Sequence, residues 1–324
     1  MAILELEHVT GGYTRKPVLH DLSFQIEEGE LVGLIGLNGA GKSTTIKHII
    51  GVMNPLQGQI KIDGATFSDK AHYRQSFSYI PETPVLYEEL TLQEHLELTA
   101  MAYGLDKQQF EIRTEQLLRE FRMEKRLKWF PAHFSKGMRQ KVMIMCAFLV
   151  EPKLYIIDEP FVGLDPLAIR ALLDQIIERK KAGASILMST HVLATAEKYC
   201  DRIILLHEGR VRANGTMDDL RKAFGRPNAT LDDLYIAMTE ESDYEQRVYL
   251  YAFLSGSQYN IREAERVSIE RYFSLLRYKI RGRQALSDAG GGGALGRYQG
   301  CPVLWACGAV DGAGFSGRGH HGTA

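Results

Sequence analysis

Apolar and polar residues alternate from Ile3 to Val9, with Ile3, Glu5, Glu7 and Val9 on one side and Leu4, Leu6 and His8 on the other. That period of two predicts a short strand. Gly11-Gly12 turns the chain, Tyr13 follows, and Val18 to Ile26 supports a second strand. Leu31 to Ile35 is apolar without alternation, the pattern of a strand buried on both faces. Beyond the glycine-rich stretch 36–43, Thr44 to Ile50 reads as a helix that stops near Gly51, with Asn54-Pro55 after it. Gln59 to Ile62 is a strand closed by Asp63-Gly64, a hairpin signal. Phe77 to Ile80 is a short strand stopped by Pro81.

The period then changes to that of helices. Thr91-Leu92-Gln93-Glu94 is a capping box that opens a helix toward Tyr103, ahead of Gly104. Lys107 to Phe121 and Ser135 to about Val150 predict two more, and Met143, Met145 and Phe148 on the last are expected in the core. These helices interrupt a strand-helix alternation, which predicts a helical insertion at about 85–150. Alternation resumes with a buried strand, Leu154 to Ile157. Asp165-Pro166 then starts a helix as N-cap and first-turn proline, running to about Lys181 before Gly183. Ser185 to Ser189 is a strand and Ala194 to Cys200 a helix. Arg202 to Leu206 and Arg210 to Arg212 are strands around Glu208-Gly209, and Leu220 to Phe224 and Leu231 to Met238 are closing helices. The expected fold is α/β: a largely parallel sheet, an antiparallel portion from the N-terminal strands, and the inserted helices.

Composition adds limits more than direction. The 324 residues carry a net charge of −1, so no global field draws the chain to nucleic acid or an anionic membrane. Cys146, Cys200, Cys301 and Cys307 make no metal-ligand spacing and suit a reducing cytosol. The first residues lack a basic region followed by an apolar core, so no signal peptide is expected. The apolar run from Val142 to Val150 is far short of the ~20 residues a membrane-spanning helix needs. Any membrane role is expected to come through a partner.

The chemistry is concentrated in Gly36-Leu37-Asn38-Gly39-Ala40-Gly41-Lys42-Ser43, followed by Thr44. A buried strand, a glycine loop, and Lys-Ser at a helix start form a phosphate-binding P-loop. The glycines let successive N–H groups curl inward, and the helix N-terminus adds partial positive charge. Lys42 is expected to reach the β and γ phosphates and the Ser43 hydroxyl to ligate Mg²⁺. Asp158-Glu159, at the end of another buried strand, supplies the complementary acids: Asp158 toward Mg²⁺, Glu159 toward the attacking water.

The order of these motifs resembles the ATP-binding subunits of ABC transporters, over roughly residues 3 to 239. In that resemblance Gly36 to Ser43 is the Walker A loop and Leu154 to Asp158 is Walker B, with Glu159 as catalytic glutamate. Tyr13 occupies the position of an aromatic that stacks on adenine. Phe134-Ser135-Lys136-Gly137-Met138 stands at the signature motif, where Ser135 and Gly137 contact the γ-phosphate held by the opposite subunit. Gly163-Leu164-Asp165 matches the D-loop, Glu82 the Q-loop position, and His191 the γ-phosphate-sensing switch histidine. Leu34 to Ile50, Tyr79 to Tyr103 and Phe121 to Cys146 look like the EcsA-type subgroup of Gram-positive bacteria, which works with a membrane subunit called EcsB.

The resemblance implies a homodimer that traps two ATP molecules between Walker A loops and opposite signatures. It also implies a peripheral position on the cytoplasmic side of the membrane, through a polytopic membrane subunit. A soluble ABC ATPase acting in translation or repair is the alternative, as is a non-hydrolysing regulatory module. Three departures stand out: Lys136 and Met138 replace a glycine and a glutamine of the usual signature, Glu82 replaces the Q-loop glutamine, and the likeness stops near Thr239 to Glu245. Glu82 keeps an oxygen for Mg²⁺ but brings negative charge near Glu159, which raises the proton affinity of a carboxylate there. From Glu240 onward there is one lysine, Lys279, and Gly290 to Gly293 opens a glycine-rich run. Residues 240–324 are expected to be an atypical extension, disordered from about 285, either a frameshifted end or a genuine flexible tail.

Overall fold

The computed structural model describes residues 1–14 and 16–239. The expectations for 240–324, including disorder and a frameshifted end, lie outside the described residues. In chain order the first strands are β1 (Ala2–Gly11), β2 (Leu19–Glu27) and β3 (Leu31–Ile35), followed by helix α1 (Lys42–Ile49). Then come β4 (Gln57–Ile62), β5 (Ala65–Thr66), α2 (Lys70–Gln75) and β6 (Phe77–Ile80). The insertion holds α3 (Leu92–Tyr103), α4 (Lys107–Phe121) and α5 (Lys136–Leu149). The chain continues through β7 (Leu154–Asp158), α6 (Pro166–Lys181), β8 (Ser185–Thr190) and α7 (Leu193–Tyr199). It closes with β9 (Arg202–His207), β10 (Arg210–Gly215), α8 (Met217–Ala223) and a helix over 231–239.

Two sheets result. One is antiparallel in the order β2-β1-β4-β5; the other runs β10-β9-β3-β8-β7-β6. In the second sheet β9, β3, β8, β7 and β6 are parallel, and β10 pairs antiparallel at the edge. Side chains alternate across β3. Val32 and Leu34 face a core shared with α1 and the antiparallel sheet, whereas Leu31 joins the core under α3–α6 and Ile35 the one under α7, α8 and 231–239. This is the predicted architecture, and the capping box at Thr91–Glu94 and the Asp165-Pro166 start are both present.

The simple alternation expected of the first strand does not hold. His8 takes a left-handed φ of 52°, and the register shifts between Leu6 and Val9. The resulting bulge turns Val9 inward, so Leu4, Leu6 and Val9 are all buried alongside Ile3. On α5, Met145 and Phe148 are in the core as expected, but Met143 is only half-buried. Helix α2 has no strong apolar period and escaped the sequence pattern, and α8 starts earlier than expected because Thr216 and Asp219 form a second capping box.

Strand registry positions the site. Ile35 of β3 pairs with Thr190 of β8, Ser189 pairs with Asp158 of β7, and Ile157 pairs with Ile80 of β6. Four parallel strands therefore end nearly flush, and the residues that follow them emerge along one edge. In spatial order these are Gly36, His191, Glu159 and Glu82, although in sequence they are far apart. Open α/β sheets bind ligands at this carboxyl edge.

Candidate functional site

A cleft of about 970 Å³ opens at that edge. Its walls include Tyr13, Asn38, Gly39, Gly41, Lys42, Ser43, Thr44, Glu82, Glu159 and His191, together with Val18, Leu37 and Val162. Most of the residues expected to bind nucleotide are thus brought together. Gly36 and Ala40 shape the loop from beneath. A Cβ at Gly36 would stand 2.5 Å from Leu206 O and 2.8 Å from Ala40 Cβ, so this position has no room for a side chain. Gly41 caps α1 at φ 108°, a conformation that L side chains rarely adopt.

Lys42 is buried, and its ammonium donates to Gly36 O at 2.7 Å and stands 3.4 Å from Glu159 Oε1. Two largely buried charges of opposite sign thus face each other across the cleft floor. Glu159 has φ 47°, a strained backbone for a non-glycine residue. Its N–H donates to both the carbonyl and the hydroxyl of Ser189, which over-determines the turn. Its second carboxylate oxygen accepts from His191 N at 3.2 Å and lies 2.7 Å from His191 Nδ1. The strained turn therefore aims one carboxylate between Lys42 and His191.

Asp158 lies deeper. The Ser189 hydroxyl donates to it, and Ser43 also bonds to it. Burial raises its proton affinity above the usual Asp range, the two serines oppose that, and the charges of Glu82 and Glu159 reinforce it. The carboxylate that the acidic residue at 82 was expected to perturb is thus Asp158. The donor set around Ser43, Asp158 and Glu82 is all oxygen and short of positive charge, which fits a hard divalent cation. Among the described residues no three or more His, Cys, Asp or Glu side chains form a ready metal cage. Mg²⁺ takes hydroxyl and carboxylate oxygens together with waters and phosphate oxygens as ligands.

Tyr13 stands on the cleft wall, 60% exposed. Lys47 Nζ donates to its hydroxyl at 3.1 Å and lies 5.0 Å from the ring centroid. Hydrogen bonds from Thr44 and then Lys47 lower the phenol's proton affinity.

Ser135, Gly137 and Asp165 do not line this cleft. Ser135 Oγ accepts from Met138 N and caps α5. Asp165 caps α6 through Ala168 N and pairs with Lys141 at 2.9 Å. Gly137 packs so closely on the loop before α6 that a Cβ would fall 2.4 Å from Gly163 O. These residues form a second cluster, internally satisfied and separate from the phosphate loop.

Three contributors were not anticipated: Ser189, Lys47 and Tyr235. Ser189 did carry a signal, a polar residue breaking an apolar buried run just before His191. Lys47 follows Ser43 by one helical turn. Tyr235, whose hydroxyl accepts from Leu37 N at 2.7 Å, carries none, because its helix meets the loop only through tertiary packing.

Residues 19–162 match the family model described as ABC transporter. Over 242 residues the chain is 68% identical to the ABC-type transporter ATP-binding protein EcsA of Bacillus subtilis, covering 74% of this chain and 98% of that protein. The chain belongs to the ABC transporter ATP-binding proteins. Another member, the uncharacterized ABC transporter ATP-binding protein YthP of Bacillus subtilis, is 44% identical over 234 residues, 72% of this chain and 95% of its own. A solved ATP-binding subunit of an ABC transporter superposes with a TM-score of 0.72 at 63% identity, over 73% of this chain and 99% of that one. Among the described residues of this ABC protein no helix is long and apolar enough to cross a membrane.

Proposed function

We propose that two copies of this chain close around two ATP molecules, hydrolyse them with Mg²⁺, and drive a separate polytopic membrane subunit of the EcsB kind. The observation that carries the reading is the Lys42–Glu159–His191 constellation at the flush ends of β3, β7 and β8. In this reading adenine rests on Tyr13 and the phosphates lie along Asn38 to Thr44. Lys42 leaves Glu159 for the γ-phosphate, and Glu159, held by the Ser189 hydrogen bonds, turns to the attacking water and takes its proton. His191 donates to the γ-phosphate from the other side. Mg²⁺, when bound by Ser43, Asp158 and Glu82, neutralises charge that develops on the phosphate oxygens. Ser135, Gly137 and Asp165 act on the nucleotide of the second copy.

Loss of the γ-phosphate removes contacts that hold the copies together, and reopening is passed to the membrane subunit on the cytoplasmic face, through the surface near Glu82 to Tyr87. The ATP-binding domain occupies 1–239 in this reading, with 240–324 as an extension. The decisive experiment is Glu159→Gln: phosphate release should fall on the order of 100-fold, and a dimer should accumulate in ATP by size-exclusion chromatography. Wild-type turnover in that variant would reject the role given to Glu159. Co-purification with a polytopic membrane protein, against ribosomes or DNA, checks the transport assignment.

A further inference from the structure

One peptide of the phosphate loop is held at both edges. The carbonyl of the Gly36–Leu37 unit accepts from Lys42 Nζ at 2.7 Å, and its N–H donates to Tyr235 Oη at 2.7 Å. Tyr235 lies 198 positions beyond Leu37, on the helix over 231–239. Its ring is buried with Ile35, Ile203, Leu205, Leu220 and Leu234, beneath the strand that feeds the loop. The ring is thus anchored in a rigid core while its hydroxyl reaches the first turn of the loop. Gly36 has no side chain to stiffen this peptide, and Leu206 O and Ala40 Cβ leave no space for one. A peptide next to glycine reorients readily unless something pins it.

We propose that Tyr235 is a positioning residue for the phosphate loop: by pinning Leu37 N–H it fixes the peptide whose carbonyl places Lys42. The proposal rests on the nucleotide-binding reading above. Without the hydroxyl the peptide can rotate, its carbonyl leaves Lys42, and the ammonium falls back on Glu159 alone. The loop then meets a triphosphate with Lys42 misplaced, so binding weakens before chemistry does. The same link makes the phosphate loop sense the seating of the last described helix.

The test uses the full-length chain with Tyr235→Phe, which removes one oxygen and keeps the ring. Calorimetric titration with ATP and with inorganic triphosphate, both without Mg²⁺, reads the loop directly. Both ligands should bind about ten-fold more weakly, equivalent to about 1.4 kcal/mol. KM for ATP should rise by the same factor, kcat should stay within about two-fold, and Tm should be nearly unchanged. Tyr13→Ala, which removes the surface proposed for the base, should weaken ATP more than inorganic triphosphate. Unchanged binding of both ligands by Tyr235→Phe, or weakening of ATP alone, overturns the assignment. So does a Phe variant that loses its fold, which would make the residue merely structural. If wild-type protein binds neither ligand, the reading of the site fails first and the role of Tyr235 with it.

Discussion

The cleft and the surface around Ser135 are both built from loops that end at helix N-termini, yet their polar groups are settled differently. In the cleft, Lys42, Asp158 and Glu159 are buried and each finds partners from other strands. Around Ser135 the hydroxyl caps its own helix, and Asp165 caps the next while pairing with Lys141 on the first. Gly137 is pressed against Gly163, and the Lys136 stem covers that glycine, whereas its own surface is exposed. The cleft holds its own acids and ammonium, whereas around Ser135 the polar side chains are taken up by helix capping and by the Lys141–Asp165 pair. The two halves should therefore fail in different ways.

Lys42→Ala should have the largest effect. It removes the ammonium and strands the Glu159 carboxylate, so hydrolysis should drop on the order of 1,000-fold, with ATP binding weakened as well. A phosphate-release assay combined with nucleotide titration reads both. Substantial turnover in this variant would show that the cleft is not where the chemistry occurs.

Gly137→Ala sharpens the contrast. The added Cβ would meet Gly163 O at 2.4 Å and must displace the loop before α6. Hydrolysis is expected to fall by about 10- to 100-fold, since a 1 Å misplacement is costly. Affinity of the cleft for ATP should stay within about two-fold of wild type. Equal losses in affinity and turnover would mean that the two regions are one site within a single copy.

Glu82 lies on the cleft wall, where an oxygen is proposed to matter more than a charge. Glu82→Gln should preserve hydrolysis, and Glu82→Ala should reduce Mg²⁺-dependent hydrolysis by about ten-fold at limiting metal. An unimpaired Glu82→Ala protein would remove that residue from the metal set.

The smallest effect concerns Asp158 and pH. Its proton affinity is raised in the fold, chiefly by burial, so the native state holds this proton to higher pH than the unfolded chain does. Stability from this group is therefore lost as pH rises through its folded pKa; the penalty shrinks as pH falls below that point and is gone below the unfolded pKa. Asp158→Asn should raise the melting temperature of the nucleotide-free protein slightly at neutral pH, with the gain shrinking in acid. Protons should also compete with Mg²⁺, so more metal is needed for hydrolysis as pH falls. A melting difference that grows in acid would contradict the buried-carboxylate account.

Much of the nucleotide side was legible in advance because its signals are local. A glycine loop between a buried strand and a helix needs only eight residues to be recognised, and Asp158-Glu159 announces itself by ending an apolar run. Caps at Thr91, Ser135 and Asp165 were likewise within reach of short-range reasoning, and each accepts a backbone N–H at its helix start. The bulge at His8 was not, because Val9 turns inward to meet a neighbouring strand and not because of its immediate neighbours. Glu159 in a left-handed turn was also invisible: its conformation depends on two hydrogen bonds to Ser189, thirty positions away.

Periodicity and turn chemistry, which act over a few residues, were enough to define the parallel sheet, the inserted helices and the phosphate loop. The order of strands across the sheet required the whole chain, because hydrogen-bonded registry places Gly36, His191, Glu159 and Glu82 side by side in an order their numbers do not suggest. The same holds for the Lys42–Glu159 pair and for Tyr235 beneath Leu37. Such contacts arise only when distant segments bury a common core, and no pattern within one segment records them.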